Sequence, residues 1–558
     1  MSTHPIHDLA DDLLEKVADL DPVGATFMGL PGRDDRWPDL SPEGRATAGD
    51  VMATYQQRLG ELPPPGDDWE ALAIDVAAEF LDQQLIELGD EDAELDLNSI
   101  ASPSQNFREV FDHLDTDSAD GWRNVASRLR ALGQALDGYV TTLRAGMADG
   151  RTVAGRQVAA VAAQAEINAS EESGFVELAK TYTEQNSNGE MSEEIEGAAL
   201  SAREAFARFA DFLRSDYFPR AVVNDAVGEE RYLSSARRFL GTAIDPAETY
   251  AWGWSEVGEL RQRMIAIADK IVPGEGVAGA LDLLKTDPDR AIADHDGFVA
   301  WVEALQQEAL AQLSEVHFDV PDQIQTVGVA VAPPGGSLGA YYVSPSEDFS
   351  RPGRVWYSFV PNEPIPLYDH VSTAYHEGFP GHHLQDGIQV ANSANLTRLH
   401  RKAVWLSGSG EGWALYAERL MDELGFLENP DYELGYLAAQ MLRACRVVID
   451  IGVHLGFPIP KDQPFHPGET WTYDTAVELL MTGATLDRPY AESEVTRYLG
   501  WPGQAIAYKV GERHILDWRE QTRRDLGAEF DLKRFHARLL APGAIGLDLL
   551  RPRVLEES

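Results

Sequence analysis

Apolar residues recur every three or four positions through most of the first 315 residues, a period that predicts helices. The clearest runs are 6–20, a second helix from about Ser41, then 69–88, 120–150, 152–169, 191–218 and 245–272. Proline and glycine separate them: Pro22, Gly29, Pro31 and Gly32 make a loop, and LPPPGDDW (62–69) is a stiff connector. GDEDAELD (89–96) reads as a solvated acidic loop, and no fixed-period repeat links the helices.

Near Val316 the pattern changes to β-branched and aromatic alternation broken by Gly and Pro. HFDVPD (317–322), QTVGVAVAP (325–333) and the stretch from Gly339 to Val360 predict a few short strands. Residues 339–342, with Tyr342 among them, and 354–359 are candidates for an edge that pairs with an extended peptide. Helical periodicity returns from Tyr368, from Glu411, over 433–455, 470–482 and 491–498. It returns again after Pro502-Gly503 in a helix carrying Gln504, Tyr508 and Gly511, and in a last helix after Arg534. The expected fold is mainly α, with a small β-sheet beside an active-site cleft. Residues 1–315 would form a helical N-terminal lobe and 316–558 would carry the chemistry.

Composition narrows the partners. The chain has 558 residues, 44% hydrophobic and 9% aromatic, enough for a large core. Its net charge of -46, from 92 acidic and 46 basic residues, excludes nucleic acid and anionic membranes as natural partners. Only eight of the basic residues are lysines, which fits a high-salt cytoplasm or an arginine-biased genome. No run approaches the roughly 18 apolar residues of a membrane span. The N-terminus is acidic without an apolar h-region, and the single cysteine, Cys445, suits a reducing compartment. Those features point to a cytoplasmic protein; they leave the oligomeric state open.

The chemistry concentrates in YHEGFPGHHLQD, residues 375–386, which holds three of the 14 histidines. In H-E-x-x-H, two histidines one helical turn apart bind zinc and the Glu serves as general base for an activated water. Here His382 lies six residues after His376, about 120° off its face, and His383 lies about 10.5 Å along the axis. Pro380 and Gly381 supply a distortion. Two residues bulged out of the helix would bring His382 to the second ligand position, with Glu377 as the base.

HEGFPGHHLQ resembles the signature of the bacterial domain-of-unknown-function 885 family, taken as zincin-like metallopeptidases, and the similarity extends over most of the chain. Matched residue by residue, it implies His376 and His382 as metal ligands, Glu377 as base and His383 as the variable position. A catalytic zinc held by two histidines needs a third protein ligand. Glutamate-type zincins take it from a later helix, and the resemblance puts it at Glu411 of the EGW sequence. Glu418, two turns on, is either a hydrogen-bond partner for a ligand histidine or a surface charge. The family's Arg…Asp-x-Gly-x-His segment implies an oxyanion donor in His454 and a substrate or positioning role for Arg446. Alternatively Arg446 and Asp450 form a structural ion pair. A Pro-Gly-Gln…Tyr-Lys-x-Gly segment similarly implies Tyr508 at the oxyanion, with Arg497 as a carboxylate anchor. The expected activity is hydrolysis of short peptides with one Zn2+ per chain. Its rivals are a zinc hydrolase or lyase of small molecules and an inactive metal-binding scaffold.

Overall fold

The computed structural model describes residues 5–186, 189, 191–332, 339–359 and 363–555. The protein is mainly α, with one two-stranded and one three-stranded sheet among the described residues. None of the described helices is long and apolar enough to cross a membrane. Contacts gather the chain into two compact units. The first is Met1–Asp225 with Thr397–Ala403 and Leu499–Trp501; the second is Ala226–Leu396, Val404–Tyr498 and Pro502–Ser558. The division drawn from the sequence at 315/316 falls inside the second unit. The reason is the Pro246–Ile271 helix, which packs along Pro430–Leu455.

In the first unit, helices Ala119–Ala148, Gly155–Ala169 and Ser192–Phe212 close over Leu129, Leu132, Val158, Val161, Phe206 and Phe209. Burial of such side chains contributes about 1.5–3 kcal/mol each. Alanines 162, 165, 198, 202 and 205 are buried in the same core, where small side chains let helices approach. The acidic stretch expected to be a solvated loop instead forms a short helix, Asp90–Glu94. Glu94 is buried and accepts from Arg151 Nε at 2.6 Å, so a distant arginine draws the segment inward.

In the second unit, Gly253 lets two helices touch: a Cβ there would meet Val447 at 2.8 Å. Helices Ser407–Glu423 and Ala507–Leu526 meet through Gly412 and Gly511, and a Cβ on Gly412 would lie 2.6 Å from the Gly511 backbone. Gln504 sits in the turn before the second of these helices, not inside it. The three-stranded sheet runs Gly328–Val331, Arg354–Ser358, Gly339–Val343, the first pair parallel and the second antiparallel. Arg354–Ser358 is thus the central strand, its backbone groups paired on both sides, and cannot be an open edge. Gly339–Val343 keeps an outer position and packs beside the His370–Glu377 helix. Residues 317–322 form no strand; a lone bridge joins Ser314 and Phe318 around Glu315, whose φ is 64°. Cys445 is buried in the Pro430–Leu455 helix, where burial pushes its thiol up to about 12.

Candidate metal centre

The histidine motif folds as two helices. His370–Glu377 ends at Gly378, and His382–Ala391 begins after Gly381, with a cis Phe379–Pro380 bond between. The expected bulge is therefore a complete break. Pro380 offers no amide hydrogen, and a Cβ on Gly381 would collide with the His376 carbonyl. The groups released by the break find side chains. Phe379 N–H donates to Gln306 Oε1 at 2.6 Å, while Gln306 Nε2 donates to Ala374 O at 2.7 Å. Trp413 Nε1 donates to the carbonyls of Pro380 and Gly381, at 2.9 and 3.1 Å. Trp413 thus accounts for the third letter of EGW. Gln306 escaped the sequence reading, because one buried glutamine on an otherwise apolar helix face carries no motif.

The restart turns His382 toward His376, their rings 4.9 Å apart. His376, His382 and Glu411 each present a donor atom, all within 4.8 Å of one another. Glu411 Oε2 lies 3.2 Å from His376 Nε2 and 3.6 Å from His382 Nε2. His376 Nδ1 meets Glu418 Oε1 at 2.7 Å, and Glu418 also accepts from the Ser372 hydroxyl. That contact holds a proton on Nδ1 and leaves Nε2, which faces Glu411, as the nitrogen a metal would take. Glu418 is fully buried, so the surface-charge alternative falls.

The donor set fits a divalent metal. Glu411 Oε2 and His382 Nδ1 are buried without a hydrogen-bond partner among the described residues, a costly arrangement for a carboxylate set against two imidazoles. Burial opposes charge on Glu411, but the two histidines outweigh it and hold the carboxyl well below its usual range. Burial likewise opposes charge on His376, and Glu411 and Glu418 outweigh it, pushing the imidazole up to about 10. The field that favours a proton there favours a cation too. Glu377, half-buried beside them, is raised by burial, with His376 and His382 acting against and Glu411 adding to it.

His383 belongs to the scaffold. It is fully buried, accepts from the Tyr342 hydroxyl at Nδ1 (3.0 Å) and donates from Nε2 to Ile324 O (2.9 Å). Burial lowers it to about 4. Tyr342 is correspondingly committed to His383. His454 is also buried: Val227 N–H donates to its Nδ1 at 3.3 Å, and its Nε2 donates to Tyr498 O at 3.1 Å. Both nitrogens are taken by main chain, which leaves none for an oxyanion. Arg446 pairs with Glu494, at 2.6 Å, and not with Asp450; Asp450 accepts from Tyr232 Oη and Gly503 N, each at 2.9 Å. Arg497 reaches the same Glu494 and Gln504. Tyr508 is half-buried with the Arg446 guanidinium 4.9 Å over its ring. Burial raises its hydroxyl; Glu411 adds to that while Arg497 and Arg446 oppose it.

Residues 22–554 match the family described as "Bacterial protein of unknown function (DUF885)", and the chain belongs to that family. Among solved structures it is similar to "the putative lipoprotein from Colwellia psychrerythraea", with 22% identity, TM-score 0.85 and 98% of each chain covered. It is also similar to "a putative lipoprotein of unknown function from Shewanella oneidensis", with 18% identity, TM-score 0.76, and 99% of this chain and 100% of that one covered. These likenesses carry the fold. No curated protein matches.

Proposed function

We propose that this member of the DUF885 family is a zincin-like, zinc-dependent peptidase acting on short peptides. The observation that carries the reading is the convergence of His376, His382 and Glu411 on one point, with a free-standing carboxylate, Glu377, beside them. Two histidines, one carboxylate and an open position make the ligand set of glutamate-type catalytic zinc sites. Zinc bound there supplies Lewis-acid polarisation of a carbonyl and a water of lowered pKa. Glu377 then takes the proton of the attacking water and hands it to the leaving amine. Glu418 holds His376 in the ligating tautomer, and Tyr508 donates its hydroxyl to the developing oxyanion. With both nitrogens of His454 bound to main chain, its place is in the support of this wall. The chemistry is assigned to the segment from 316 onward. Cell fractionation decides its compartment; the names of the two solved relatives point to the cell envelope.

Metal analysis and a peptide-pool digestion followed by mass spectrometry test the reading. Purified protein should hold about one zinc per chain. Glu377→Gln keeps the shape of the base without its proton affinity. It should retain zinc and lose roughly 10²–10⁴-fold in turnover. Loss of zinc together with activity would make Glu377 a ligand. Full activity would place the base elsewhere, and no cleavage by the zinc-loaded wild type would end the peptidase reading.

A further inference from the structure

Of the 12 tryptophans, all among the described residues, Trp405 alone is exposed, at 42%. It stands two residues before the Ser407–Glu423 helix that carries Glu411. Its ring centroid lies 6.1 Å from that of His382, with 57° between the planes. The surroundings hold the ring in that place. A Cβ on Gly410, the residue before Glu411, would collide with the indole, so the ring rests on the main chain there. The indole N–H, the one polar group of the side chain, goes to the carboxylate of Asp386, one turn after His382 on the His382–Ala391 helix. Asp386 also accepts from the Ser344 hydroxyl at 2.5 Å, just past the outer strand Gly339–Val343. Trp405 is therefore fastened to both ligand-bearing helices and still uncovered.

An indole fixed in contact with water forgoes burial that a bound group restores. Neighbouring Cα atoms of a peptide are about 3.8 Å apart, so the side chains flanking a bond held at His376, His382 and Glu411 come within reach of a ring this close to His382. With its N–H engaged, the ring has only apolar surface and its π-face to offer. A cationic side chain there would be repelled by a divalent ion in the metal group, and an acidic one by Asp386 and Glu411. A neutral side chain with a large apolar surface meets neither penalty.

We propose that Trp405 is a specificity-determining contact of this site, packing against an aromatic or large aliphatic side chain beside the bond that is cut. The inference rests on the peptidase reading above. Its test uses pentaalanine, with both termini free, and the set in which phenylalanine replaces each alanine in turn. Lysine and glutamate versions of the best of these complete the series. The zinc-loaded protein should prefer one phenylalanine peptide over pentaalanine by about tenfold in kcat/KM, chiefly through KM, and the lysine and glutamate versions should lack that advantage. Trp405→Ala should bring the ratio toward one. Trp405→Phe, which keeps a ring without the N–H, should hold most of it, both with zinc retained. A merely structural Trp405 would change stability or zinc content and leave the ratio where it was. No preference for phenylalanine at any position overturns the proposal, as does a ratio that survives Trp405→Ala. So does a lysine peptide that performs like the phenylalanine one, which would make the ring a cation site. Calorimetric binding of the same peptides to Glu377→Gln protein, with and without Trp405→Ala, separates the two claims. Phenylalanine-selective binding that depends on Trp405, without wild-type turnover, sustains the contact and removes the peptidase. Turnover without phenylalanine selectivity does the reverse.

Discussion

Both units bury charge, and they resolve it differently. In the first, Arg128 is wholly buried, yet its guanidinium meets the carbonyls of Pro22, Arg33 and Arg36 and the Thr26 hydroxyl at 3.0 to 3.2 Å. Burial lowers it to about 10, against the pull of Asp34, Asp21 and Asp35. Three main-chain carbonyls and one hydroxyl answer that guanidinium. In the second unit, His382, Glu411 and Arg497 keep buried polar atoms that no described group satisfies. A polar group answered by main chain holds the fold together. One left facing other side chains, with an atom to spare, needs a water, an ion or a ligand to complete it. The contrast recurs between neighbours: His383 is saturated by Ile324 and Tyr342, while His382 faces Glu411.

That neighbouring pair offers the strongest test. His382→Ala should prevent zinc from being retained through gel filtration. His383→Ala should keep the zinc and lose stability, by about 2–4 kcal/mol for a buried, doubly hydrogen-bonded side chain. The opposite outcome would reverse the assignment and mean the break does not set the ligand register. Next in size is Arg128→Met, which strands four acceptors. It should lower unfolding free energy by about 2–4 kcal/mol in urea titration, with zinc content per folded molecule unchanged. Loss of zinc at constant folded fraction would show that the first unit's charge also serves the site.

The smallest effect is a pH dependence. His536 donates from Nδ1 to His317 O and meets the Tyr416 hydroxyl through Nε2, at 3.0 and 2.8 Å. Burial lowers it to about 3; the His317 carbonyl opposes this, His317 and Arg519 lower it further and Asp531 raises it. Below its ordinary value of 6.5 the unfolded chain binds a proton that the folded chain refuses. Stability from the neutral imidazole is therefore lost as pH falls from about 6.5, on the order of 1 kcal/mol per pH unit. Unfolding of wild type and His536→Gln, compared at pH 7 and pH 5, should show the wild type losing ground at pH 5. Parallel curves would mean that His536 is solvated and outside the rule.

The sequence by itself determined the helices, because a 3.6-residue period is an interaction among residues three and four apart and is written along the chain. It also located the distortion of the histidine helix, since Pro380 and Gly381 act on their immediate neighbours, but it pointed to a bulge where the structure has a complete break. The partners were decided by packing. Phe379 finds Gln306 at a separation of 73 residues, and Arg446 finds Glu494 across 48 in place of Asp450 one turn away. A pair four residues apart was the local choice for Arg446. The neighbouring helix brought a better-placed carboxylate, with the Tyr498 hydroxyl already donating to it. His454 and Tyr508 looked alike as motif residues. They parted because both nitrogens of one ring were taken by main chain, while the other ring, carried on a helix that meets Gly412 through Gly511, lies under the Arg446 guanidinium with its hydroxyl raised by burial and by Glu411.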